Sequence, residues 1–478
     1  MSRFNTSSEA ATFKAPAAAL PLSAVGPMSA PAERHGVLVN ILGAYALMCT
    51  VPVAELLVTK VGVHIPIVVI AQIVLTFGLF SAGRITEFWK LPIAKPYMAL
   101  LVLMGVAAVL GHYPTRSLEL VLPYGFRFHV LPFYCCAIAV TTRQVRRVVS
   151  WVGWGAFLLL ILCVFFGKVT EDRFVIPESS LSNPNDLGFA ILFVMTGLIV
   201  LQSKIARVLV ALSMPVFFMY LLKTGSRADM VTLIALLAVA FYFAPRGWKM
   251  LMLIALPVLA GIVLAVVPGQ TLARLSLVVA RSATAGTSNI ELSQALDSSA
   301  ARLELQQRAI QLAARHPFLG VGVTNFEDAV DEMVQNTLHH KSGWQVAHNT
   351  YLQMAAENGI AAFIVYIWSL IVCLKMNLWS YRTCRRTPHL SDAVTQSFAL
   401  IMMTLMFMVC TAFSNNSCDP HMGVLIGLSA ANYLAVRRES QTSLAGTGFA
   451  QPLWSPAPRV VPPRAGRLPI PVRGVGPA

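Results

Sequence analysis

The sequence predicts an all-α integral membrane protein of about twelve transmembrane helices, with one long, partly helical loop on the outer side between the ninth and tenth spans. Of 478 residues, 56% are hydrophobic and 12% charged, against about 25% charged in soluble domains, so the apolar excess needs lipid to bury it. Hydrophobic stretches near the bilayer-crossing length, about 17 to 25 residues, recur at 36–58, 62–82, 97–111, 118–140, 148–168, 186–202, 205–222, 228–244, 248–267, 348–374, 394–413 and 419–436. The third stretch is short, and the fourth carries Arg127 and His129 inside its apolar run.

The net charge of +15 lies in the connections between spans. Arg84, Lys90 and Lys95, then Arg143, Arg146 and Arg147, Lys204 and Arg207, Arg246 and Lys249, and Lys375, Arg382, Arg385 and Arg386 fall in alternate loops, and the loops between them are poorer in basic residues. Short cytoplasmic loops carry the excess of Lys and Arg, so both termini are expected in the cytoplasm and the partner of the charge is the bilayer surface, not nucleic acid. The eight cysteines all sit in spans or at their edges, which leaves no disulfide framework and no zinc spacing.

Domain boundaries follow from composition. Residues 1–34, rich in Ala, Pro and Ser and without a cleavable signal pattern, and residues 439–478, rich in Pro, Gly and Arg, are expected to be disordered cytoplasmic tails. Spans one to nine occupy 35–267 and spans ten to twelve 348–438, separated by the loop 268–347. A loop that long inside a compact protein is usually functional. Ser299 to Arg315 has helical character and ends where His316 precedes Pro317, a turn with Gly320 and Gly322 follows, and Asn325 to Asn336 reads as an acidic helix.

Inside the spans periodicity carries little, because a helix among lipid and other helices is apolar all round. Polar residues at span ends carry more, and three places stand out: Asn183-Pro-Asn-Asp-Leu-Gly188, Lys223-Thr-Gly-Ser-Arg-Ala-Asp229 and Ala347-His-Asn-Thr-Tyr-Leu-Gln353. The topology sets all three at the outer surface. His348 opens the tenth span, where the positive end of the helix dipole disfavours an imidazolium, so a neutral ring there suits a general base. An interfacial histidine bonded to a capping group is the other reading. Arg227, beside Ser226 at the start of the eighth span, joins the unpaired N–H groups of a helix N-terminus, a setting for phosphate; a snorkelling anchor is its alternative.

In the loop helix Arg308 and Arg315 share one face, whereas Arg302 lies on the stripe of Gln306, Ala309 and Ala313. A solvated basic face is the usual account of such a helix. Arg127, a charge within a span, implies a cavity or a partner, unless the Pro123-Tyr-Gly125 break lifts it to the surface. The chain has no P-loop, nucleophile elbow or complete dinucleotide fingerprint. His339, His340 and the carboxylates Glu327, Asp328, Asp331 and Glu332 lack zinc or EF-hand spacing and read as a solvated acidic face, so no metal is expected.

His348-Asn349 with Gly359 after it resembles the His-Asn/Ser…Gly-x-x-Gly signature of the bacterial O-antigen ligase and polymerase superfamily of polysaccharide-assembly membrane proteins; Ala362 stands where the final glycine would be. His316-Pro-Phe-Leu-Gly-Val-Gly322 through Phe326 is similar to that family's His-Pro-x-x-Gly-x-Gly…Phe stretch. Ser226-Arg227 opening a hydrophobic helix, the 183–188 motif, and the span count with its long loop also match.

The ligase branch is favoured. Its resemblance implies a GT-C-like membrane glycosyltransferase of the bacterial inner membrane that moves a glycan from undecaprenyl diphosphate to a sugar hydroxyl of lipid A-core. The reaction would take place on the periplasmic face without cofactor or metal. It implies His348 as the catalytic residue and Arg227 and Arg302 as diphosphate-binding residues, with Ser226, Asn349, Arg308 and Arg127 in support; Arg308 stays an alternative to Arg302. The chemistry agrees, because a diphosphate leaving group needs fixed cations and an attacking hydroxyl needs a base, with inversion at the anomeric carbon expected. A polymerase joining lipid-linked repeats, or a protein oligosaccharyltransferase, would keep this chemistry and change the acceptor. A polysaccharide or lipid transporter is the reading from another class, against which stand the lack of related halves and the outward clustering of the polar residues.

Overall fold

A computed structural model describes residues 36–62, 66–170, 173–247, 249–254, 257, 261, 290–338, 346–415 and 420–446. The tail 1–34, most of the expected ninth span, the first part of the loop and the His339-His340 pair lie outside the described residues.

The expected first span is two helices, α1 (Gly36–Thr50) and α2 (Val53–Val61), bent by 65° at their junction. Pro52 cannot donate into the helical ladder, and the Thr50 hydroxyl turns back to the Leu47 carbonyl at 2.9 Å. Next come α3 (Ile67–Ser81) and α4 (Ala94–Leu110). The expected fourth span is also divided, into α5 (Pro114–Phe128) and α6 (Leu131–Ile138), where Pro132 at the start of α6 removes another donor.

Helix α7 (Thr142–Phe166) starts with a capping box in which Thr141 and Gln144 bond each other's backbone, a common start signal. It is followed by α8 (Pro184–Leu198), α9 (Lys204–Lys223) and α10 (Arg227–Phe243). The loop contributes α11 (Ile290–Arg315) and α12 (Phe326–Leu338), and the chain closes with α13 (Thr350–Arg386), α14 (Ala393–Cys410) and α15 (Pro420–Gly446).

Among the described residues, α7, α9, α13 and α14 are long and apolar enough to cross a membrane, and the bent pair α1 and α2 would make a fifth span; α3, α4 and α8 are shorter apolar helices. The described helices form a helical membrane bundle, in which fewer than the expected dozen are by themselves long and apolar enough to span. The all-α expectation needs one amendment, a two-stranded antiparallel hairpin of β1 (Lys168–Thr170) and β2 (Arg173–Val175), with Val169 opposite Phe174.

One continuous apolar core joins α1, α4, α6, α7, α8, α13, α14 and α15. Polar side chains tie helices together within it. The Asn377 amide of α13 donates to Thr404 Oγ1 of α14 at 3.0 Å and to Ser429 Oγ of α15 at 2.9 Å, bonds that substitute for water where none is available. α15 runs on to Gly446, past the expected boundary at 438. Its Glu439 carboxylate accepts from the backbone N–H and hydroxyl of Thr142 at 2.8 Å, which ties this extension to the start of α7.

The turn 316–325 seats itself in a break of α13. Gly359 has φ 84°, a left-handed conformation that favours glycine, and the freed backbone pairs with the loop: Ile360 N–H donates to Pro317 O at 2.9 Å, Val321 N–H to Ala356 O at 2.9 Å and Gly322 N–H to Glu357 O at 2.9 Å. A Cβ on Gly359 would lie 2.3 Å from Phe318 O. Gly359→Ala should therefore lower stability by roughly 2–4 kcal/mol, combining backbone strain with displacement of the turn. Thermal unfolding of the purified variant in detergent checks this, with a clear fall in melting temperature expected.

Candidate functional site

The three polar segments meet at one end of the bundle. Asn183, Ser226 and Asn349 are the N-cap residues of α8, α10 and α13, and each side chain accepts from a backbone N–H of the helix it opens. These are the short polar side chains that satisfy the orphan donors of a helix start. The caps also bring the three starts together. Gly188 packs so closely on Asp229 that a Cβ there would sit 1.9 Å from its carboxylate, and Cys410 Sγ at the end of α14 donates to Asp229 Oδ1 at 3.3 Å. On the third side, Thr350 N–H donates to Thr411 O at 2.9 Å.

Arg227 is the first residue of α10. Arg302 lies on the inward side of α11, on the stripe with Ala309 and Ala313 that is buried against the loop core. Arg302 feels the charge of Arg227, and burial together with that neighbour pushes its guanidinium below the usual range. Arg308 instead turns to Glu304, with 2.5 Å between Nη2 and the carboxylate. Of the two loop arginines, Arg302 is the one that feels the charge of Arg227, while Arg308 pairs along its own helix.

His348 sits just before the N-cap Asn349, two residues ahead of the first residue of α13, and has φ 49°. Such a conformation costs a non-glycine residue about 1–3 kcal/mol and persists only where its surroundings hold it. Here Ala347 N–H donates to Gln353 Oε1 at 3.2 Å, and the Asn349 side chain accepts from Leu352 N–H at 3.1 Å. The His348 ring is pushed down to about 4 by burial first, then by Arg302 and Arg173. The neutral imidazole expected from the helix dipole thus has burial and two arginines as its causes.

Arg173 was legible in the sequence only as a basic loop residue. The β-hairpin projects it into the site, where Nε donates to Thr224 O at 2.8 Å and Nη2 to Asn185 Oδ1 at 3.2 Å, linking the caps of α8 and α10. The segment Lys168-Val-Thr-Glu-Asp-Arg-Phe-Val175 carries neither a sustained alternation nor a Gly-containing turn, so it gives no hairpin signal that would have found it. Arg127 stands elsewhere, at the end of α5, where its carbonyl accepts from the Tyr45 hydroxyl of α1. Its described contacts do not join it to the arginine and histidine cluster.

The acidic stretch corrects the expectation of a solvated face. On α12, Asp328 pairs with Arg116 and Glu332 accepts from the Tyr113 hydroxyl, while Glu327 and His112 complete the contact at 4.0 and 3.6 Å from Arg116 and Glu332. Asn325 Nδ2 donates to Ser117 Oγ at 2.7 Å. These carboxylates dock the loop on the turn between α4 and α5. Among the described residues, no group of three or more His, Cys, Asp or Glu gathers in a way that would hold a metal ion.

Together these features define a helical membrane protein with a cluster of arginines at one end of its bundle, beside a neutral histidine. Residues 214–367 match the family model described as O-Antigen ligase, which supports the O-antigen ligase superfamily that the motifs resemble. The match runs through Arg227, Arg302 and His348 but does not reach Arg173. Among curated proteins, none matches the chain.

Proposed function

We propose that the protein transfers a glycan from a polyprenyl diphosphate to a sugar hydroxyl of lipid A-core on the periplasmic face of the inner membrane. The observation that carries this reading is the clustering of Arg302 and Arg173 about a neutral His348, with Arg227 acting on Arg302 in turn. A glycosyl diphosphate reacts by breaking the bond from the anomeric carbon to the leaving oxygen, which leaves charge on the diphosphate. Guanidinium groups fixed where that charge grows stabilise the transition state without reorganising, and their planar forks suit phosphate oxygens. Arg227 adds the N-terminus of α10 to the same target.

The acceptor hydroxyl attacks the opposite side of the anomeric carbon and gives its proton to His348, so the product is inverted. Ser226 and Asn349 act through the helix starts they cap, and Arg173 joins Arg227 and Arg302 as a third cation on the donor. The reaction is driven by cleavage of the anomeric carbon–oxygen bond to the leaving diphosphate and takes no cofactor.

Incubating the purified protein with lipid-linked glycan and lipid A-core tests the reading: formation of core-linked glycan is expected. In cells lacking the gene, lipopolysaccharide should run as core without attached polymer while lipid-linked polymer accumulates. A core bearing a single repeat would instead assign a polymerase, and vesicle transport without a glycosidic bond would sink the enzyme reading.

A further inference from the structure

Helix α11 has two unlike exposed flanks. At about 100° per residue, Leu305, Ala309 and Leu312 form the buried stripe, and Glu304, Arg308, Gln311 and Arg315 line one side of it. On the other side, next to Arg302, stand Leu303 and Ile310, which are 49% and 54% exposed. The turn that follows carries Phe318, 83% exposed. Large apolar groups on an aqueous loop would gain nothing from such exposure.

Their surroundings indicate what covers them. Pro317 O accepts from Ile360 N–H at 2.9 Å, which sets Phe318 beside the top of an exposed row on α13: Ile360, Ile364, Trp368 and Ile371. That row belongs to a membrane-crossing helix and faces lipid. Counting about 20 residues of hydrocarbon back from Arg382, at the basic end of α13, reaches the neighbourhood of Ile360. The count on α13 thus sets a bilayer boundary at the level of Phe318, beside Ile360.

We propose that α11 is an in-plane interfacial helix whose Leu303 and Ile310 edge, with Phe318, dips into the phospholipid leaflet at the site end of the bundle, its charged flank turned to water. This is the pattern of an amphipathic helix whose apolar face enters about 5–10 Å below the headgroups. The loop helix that carries Arg302 is then held to the membrane itself. The assignment rests on exposure and bilayer geometry and stands independently of the transfer reaction.

The test is nitroxide labelling of Ile310→Cys, Phe318→Cys and Gln311→Cys in a Cys418→Ser background, the seven cysteines in the described residues being buried. Each variant is reconstituted in phosphatidylcholine and phosphatidylglycerol vesicles, with its circular dichroism checked against the parent. Labels at 310 and 318 should collide with oxygen and be shielded from a water-soluble nickel complex, and the label at 311 should show the reverse. Labels at 310 and 318 that meet nickel as readily as 311 would overturn the proposal. So would shielding from both reagents, which would mean that protein covers this edge.

Discussion

His348→Ala is expected to abolish glycan transfer, a loss of roughly 10²–10⁴-fold, while yield and binding of the lipid-linked donor stay close to wild type. The three arginines that would hold the diphosphate remain in the variant, and the positive φ at 348 is set by the Ala347, Asn349 and Gln353 contacts around it. Transfer at the wild-type rate would remove His348 from its assigned role. The pH dependence offers a second reading of the same residue. In the free protein the ring stays neutral down to about 4, so the acid limb of kcat/KM belongs near there and not near the ordinary value of 6.5.

Two of the causes of that depression are the charges of Arg302 and Arg173. Donor diphosphate bound on those guanidiniums offsets their field, so His348 becomes a stronger base when substrate is in place, and the acid limb of kcat should lie above that of kcat/KM. The folded state also takes up its proton later than the unfolded chain. As pH falls from 6.5 to about 4, the unfolded chain binds a proton that the fold does not, so stability falls across that window and levels off below it. His348→Ala removes this slope, which thermal unfolding across pH 4–7 would show as a smaller acid sensitivity than in the parent.

The membrane class was legible because lipid imposes a composition that few other solvents do, and the three polar span ends were legible because a cap needs a short polar side chain. What the sequence concealed has equally physical causes. The breaks at Pro52 and Pro132 lie inside runs that are apolar on both sides, so hydropathy joins what backbone hydrogen bonding separates. Arg173 was hidden because its hairpin strands are three residues each, too short to stand out between long helices. The carboxylates of α12 look solvated in a one-dimensional reading, since their partners His112, Tyr113 and Arg116 lie some two hundred residues away in the chain. The choice between Arg302 and Arg308 likewise depends on which side of α11 meets the body, and only packing decides that.

That choice leads to the second large effect. Arg302→Ala is expected to lower transfer by roughly 10²–10³-fold, the usual consequence of removing one preorganised donor from a developing anion, whereas Arg308→Ala should stay near wild type. The Arg308 and Glu304 pair is an i,i+4 contact along one helix, a kind worth about 0.3–0.5 kcal/mol, with no further duty in the site. Arg302→Lys should recover only part of the activity, because an ammonium keeps the charge but loses the planar fork that holds two phosphate oxygens. Steady-state transfer from lipid-linked glycan measures all three variants, and a severe loss in Arg308→Ala alone would exchange the roles. The field of Arg302 supplies an independent check. It helps to hold the His348 ring down, so Arg302→Ala should move the acid limb of the residual activity upward, a shift that loss of folding or of donor affinity would not produce.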